Sequence, residues 1–95
     1  MKIINKIESR EQCAEAGWYA YDYILDKPMD KESIISLRPL GSFTYLQMLK
    51  KPFYKIEADH YIIKGIEQDI FFRVAIHGDY MVQLKKIESF IEELK

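Results

Sequence analysis

Cysteine is almost missing from this chain. Cys13 stands alone, so no internal disulfide can form, whereas a domain this short in an oxidising compartment usually needs several. A cytoplasmic location is the expectation. Glycine and proline are also scarce, four and three residues, and no low-complexity stretch, internal repeat or interdomain linker is visible. There is no excess of one charge either: fourteen bases against fifteen acids leave a net charge of −1. With no long-range field to gather polyanions, a nucleic-acid partner is not expected. Long apolar runs are absent as well. The longest uncharged run, Pro39 to Leu49, is too short to cross a bilayer. The opening residues MKIINKIESRE hold no apolar segment of signal-peptide length. A soluble protein with no membrane partner is the reading.

What is present fits one folded unit. The 95 residues suit a single α+β domain over 1–95, large enough for one core and too small to divide it. Aromatic residues make up 14% of the chain, seven of them tyrosines, more than a small core needs. Some rings are therefore expected at a surface or interface. Charge is unevenly placed, since residues 8–32 are mostly acidic and residues 38–64 mostly basic.

The stretch Phe43 to His77 carries four apolar runs with short polar or proline-marked connections, the pattern of an antiparallel meander. Before it, residues 2–8 read as a short strand with Ile3, Asn5 and Ile7 on one side. Ser9 with Gln12 forms a capping-box pattern, and a helix is predicted from there to about Leu25. Its small-residue stripe would be Cys13, Ala16, Gly17, Ala20 and Ile24, with Tyr19 and Tyr23 facing outward. Asp30 caps a short second helix, Lys31 to Leu37, which ends at Arg38-Pro39.

Residues 42–50 suit either a strand or a helix, and Phe43, Thr44 and Tyr45 favour a strand. In the last strand, Ile70, Phe72, Val74 and Ile76 are assigned to the core. The register of its partner stays open, with Tyr61 and Ile63 inward after a two-residue turn, or Ile62 and Ile66 after a three-residue turn. Gly65 is a candidate bulge. Asp79 is expected to cap a final helix with the stripe Tyr80, Leu84, Ile87, Ile91 and Leu94. The order is β-α-α-β-β-β-β-α. It gives an α+β two-layer sandwich, a four- to five-stranded mainly antiparallel sheet with helices packed on one face.

Chemistry is sparsely signalled. There is no phosphate loop, paired-cysteine spacing, zinc-binding His motif or nucleophile elbow, so no cofactor or metal is expected and an enzyme is disfavoured. Arg73 and His77 share a strand face with Asp79 beyond the strand end, and a substrate carboxylate fits against them in principle. Ordinary strand pairing and helix capping explain the same three residues. His60 and His77 offer two metal ligands without a third, and Cys13 reads as a small buried side chain. Lys50, Lys51 and Lys55 around Phe53 and Tyr54 form a basic, aromatic hairpin tip of a kind that touches single-stranded nucleic acid, although lysines there also discourage edge pairing.

The second sheet face is the strongest functional signal. Phe43, Tyr45 and Phe71 are placed on it with Arg73, too aromatic for a face left in water. Tyr19 and Tyr23 form a second patch. A second copy packed with two-fold symmetry is the first expected occupant, followed by another protein. The rival is a small apolar or aromatic ligand, in a binding domain or minor enzyme whose pocket those rings wall and Arg73 and His77 serve.

Overall fold

A computed structural model describes residues 1–8 and 17–94. Among them, strands β1 (Ile3–Glu8), β2 (Trp18–Leu25), β3 (Ser42–Leu46), β4 (Phe53–Glu57), β5 (Tyr61–Ile66) and β6 (Phe71–His77) form one sheet in the order β1-β2-β6-β5-β4-β3. Every adjacent pair is antiparallel. Helices α1 (Lys31–Ile35) and α2 (Gln83–Glu92) lie against one face, where Ile34, Leu84, Ile87 and Ile91 join Tyr23, Phe72, Val74 and Ile76 in the buried core. The α+β class is as expected, but the sheet has six strands rather than four or five.

The extra strand comes from the segment read as a helix. Trp18–Leu25 is β2, paired on both sides by β1 and β6. Residues 9–16 of the predicted helix, including Cys13 and Ala16, lie outside the described residues. The order is thus β-β-α-β-β-β-β-α. Tyr19, Tyr21, Tyr23 and Leu25 alternate with Trp18, Ala20, Asp22 and Ile24, and the rings favour a pleated surface once two neighbouring strands complete their backbone hydrogen bonds. Gly17 is not in a helix interior but at φ +86, in the left-handed region. Its carbonyl accepts from the Gly78 amide at 2.8 Å.

Elsewhere the expectations are met in part. Asp30 accepts from the Ser33 amide at 2.8 Å and starts α1. A 3-10 turn, Arg38–Leu40, follows. Residues 42–46 form a strand, so the helical alternative fails, and residues 47–51 turn back into β4. Tyr61 and Ile63 face the core, as a two-residue turn requires, yet the connection is four residues long. Lengthening the turn by two preserves the parity of the pleat. The Gly65 bulge is corrected: pairing runs unbroken through it, and the register shift lies instead between Ile3 and Asn5 of β1. Ile3 and Asn5 therefore occupy opposite faces. Ile70 is half exposed outside the strand, not in the core. Asp79 does not cap α2; it sits in a 3-10 turn, Gly78–Tyr80, started by His77, whose ring nitrogen accepts the Asp79 amide at 3.1 Å. No helix of the described residues is long and apolar enough to cross a membrane.

Candidate docking face

The face away from the helices is built by strand alternation. Because Phe72, Val74 and Ile76 point into the core, Phe71, Arg73, Ala75 and His77 point the other way. Register carries that choice across the sheet in rows perpendicular to the strands. One row runs Ile24, Phe71, Ile66, Phe53 and Leu46. Two residues along each strand lies a polar row, Asp22, Arg73, Lys64, Lys55 and Thr44. The next holds Ala20, Ala75, Ile62, Glu57 and Ser42.

Within the polar row, Asp22 grips Arg73 with both carboxylate oxygens, Nε to Oδ1 at 2.7 Å and Nη2 to Oδ2 at 3.2 Å. Burial pushes the Asp22 carboxyl above its ordinary range, and the guanidinium beside it opposes that shift. Lys55 pairs with Glu57 at 2.8 Å. Lys64, between Arg73 and Lys55, makes no side-chain hydrogen bond or ion pair among the described residues. Three cations thus stand side by side on adjacent strands about 4.8 Å apart, and their repulsion is offset at Arg73 by Asp22 and at Lys55 by Glu57.

Of the residues singled out from the sequence, Phe71, Arg73 and His77 do share this face. Phe43 and Tyr45 do not: they pair with Ile56 and Tyr54 and lie on the helix side, packed against the core. The correction has a plain cause, since even-numbered residues of β3 match the outward residues of β4, and Phe43 and Tyr45 are odd. The Tyr45 hydroxyl donates to Glu67, and burial with that bond pushes its ionisation up to about 12. Tyr19 is nearly half exposed at the end of β2, on the same side as Ile76. Tyr23 is not a surface residue: it is fully buried, stacks on Phe72 at 5.1 Å and donates to Glu88 at 2.6 Å. A shallow cleft of about 340 Å³ opens beside it between β1 and α2, where Lys6 reaches Glu88 at 3.2 Å.

No protein-family model, curated protein or solved structure matches this chain.

His77 closes one corner of the face. Trp18 meets its ring edge-on at 5.9 Å, and Tyr80 meets it at 5.8 Å while stacking on His60 at 3.4 Å. The two histidines are neighbours, the His77 amide donating to the His60 carbonyl at 3.0 Å, but no group of three metal-ligating side chains occurs among the described residues. Arg73 and His77 are four residues apart on one strand, on the same face. What sequence reasoning missed is Lys64, while Ile66 stood on this face in one of its two register alternatives. Their outward placement follows once the β5–β6 register is known, and the sequence left that register open.

Proposed function

We propose that this chain is a non-enzymatic docking module that works through the open face of its sheet and takes a partner carrying negative charge beside apolar or flat groups. The observation behind this reading is the pair of parallel rows, apolar Phe71, Ile66 and Phe53 beside cationic Arg73, Lys64 and Lys55. Lys64, whose neighbours Arg73 and Lys55 already hold Asp22 and Glu57, is the cation that gains from an anion supplied from outside. Phe71 remains 37% exposed and Leu46 40%, so the apolar row still has area to give to a partner.

The reading is tested by thermal stability in the presence of a polyanion. Heparin or poly-L-glutamate is expected to raise the melting temperature of the unmodified protein by mass action, and Lys64→Glu is expected to abolish that rise while leaving the uncomplexed protein folded. Equal stabilisation of both proteins would sink the proposal. A second copy of the chain is the rival occupant, favoured by the apolar row. It is disfavoured by the cationic row, which two-fold stacking would bring close to its own like. Light scattering separates the two: a dimer that Phe71→Lys dissolves would replace the anionic partner with a second copy, whereas a monomer up to high concentration leaves the anionic partner in place.

A further inference from the structure

The same face carries a repeat that names the class of its partner, an inference that rests on the docking reading above. On three adjacent strands an apolar group and a cation stand two residues apart and outward: Phe53 with Lys55 on β4, Ile66 with Lys64 on β5, Phe71 with Arg73 on β6. Successive pairs are aligned by register, Lys55 to Lys64 to Arg73, with Phe53 opposite Ile66. Beyond the apolar row, Lys50 and Lys51 lie exposed in the β3–β4 turn, so cations flank the rings on both sides. From this we infer that the open face binds single-stranded nucleic acid, bases stacking on Phe53 and Phe71 and phosphates meeting Lys55 and Lys64.

The chemistry fits each part. A phenyl ring on a sheet stacks on any base, because every base has a π-face. A phosphate next to each base needs a cation at a regular offset from each ring, and the i, i+2 spacing of the strand supplies one. An acidic protein segment would satisfy the lysines but has no need of flat rings in step with them. The face carries acids of its own, Asp22 holding Arg73 and Glu57 holding Lys55, so Lys64 offers the open positive charge and a phosphate reaches Lys55 in exchange for Glu57. Contact with about two phosphates predicts a shallow salt dependence, log affinity against log salt falling with a slope of about −1.5.

The test uses fluorescence anisotropy of a labelled oligothymidylate of about fifteen nucleotides at about 50 mM salt. Binding is expected, weakened roughly tenfold by Phe71→Ala and as much by Lys64→Glu, and untouched by Lys86→Glu on the outer side of α2. Phe53→Ala and Lys64→Gln serve as second variants should either substitution disturb folding, which circular dichroism reports. If poly-L-glutamate displaces the oligonucleotide at equal charge, or if Phe71→Ala and Phe53→Ala bind as well as the unmodified protein, the nucleic-acid inference is overturned and an acidic protein partner takes its place. If neither polymer binds, the docking reading fails with it.

Discussion

Tyr54 is the residue whose environment departs most from ordinary satisfaction. Its ring is fully buried, and its hydroxyl has no hydrogen-bond partner among the described residues. Burial keeps that phenol protonated well above its usual range. A buried hydroxyl left unpaired costs about 1–3 kcal/mol of desolvation. Tyr54→Phe is therefore expected to be neutral or to stabilise the fold by about 1 kcal/mol, measured by urea unfolding. A clear loss of stability would show that the hydroxyl is paired after all. The adjoining glycine constrains the same spot: a methyl group on Gly65 would collide with the Tyr54 phenol carbons and hydroxyl across the β4–β5 pair. Gly65→Ala should destabilise by roughly 1–3 kcal/mol through overpacking. The glycine looked like a bulge in the sequence because the ring it makes room for lies on another strand.

At the scale of elements, β1 shows how an edge strand is tied down. The Asp26 carboxylate accepts from the Lys2 amide at 2.9 Å, while the Asp26 amide donates to the Lys2 carbonyl at 3.0 Å, closing the open end of the β1–β2 pair. The bond from the Lys2 amide is the largest cause holding that carboxyl below its ordinary range. A depressed native value means that the unfolded chain takes up the proton first, so the tie is fully present above the ordinary carboxylate range and is lost as pH falls through the native value. Asp26→Ala should speed amide exchange along β1 while leaving β5 and β6 protected. Uniform loss of protection would assign Asp26 to the global fold instead.

The same element explains the main misreading. A cap-like Ser9 and small residues at helical spacing pointed to a helix, and only pairing from β1 and β6 reveals Trp18–Leu25 as a strand. Local propensity is a weak prior where long-range pairing decides. The elements that were legible, α1 behind Asp30 and the stripe Leu84, Ile87 and Ile91, are those whose signals are local. The open face was legible only in part. Arg73 and Phe71 follow from alternation in one strand, whereas Lys64 and Ile66 depend on a register fixed by loop length, and Phe43 and Tyr45 were placed on the wrong side for the same reason.

Across the whole molecule, aromatic excess turns out to be spent on the core side. Tyr23, Tyr45, Tyr54 and Tyr61 all lie between sheet and helices or against that layer, and each phenol is pushed above its ordinary value, first by burial. For Tyr23 and Tyr45 the bonds to Glu88 and Glu67 add to the shift. The sign follows from proton counts. Near pH 10 the unfolded phenols begin to ionise while these four stay protonated, so the native state binds more protons and stability falls as pH rises. Their contribution is whole below about pH 10 and is lost above it, Tyr45 ionising in the fold only at about 12. Alkaline unfolding should thus coincide with a step in phenolate absorbance. Replacing Tyr23 with Phe removes one of the late protons and should make the alkaline loss less steep, at the cost of leaving Glu88 with Lys6 alone. Complete phenolate absorbance before any loss of circular dichroism would mean that these rings reach solvent in the native state, contrary to the two-layer packing on which the open face depends.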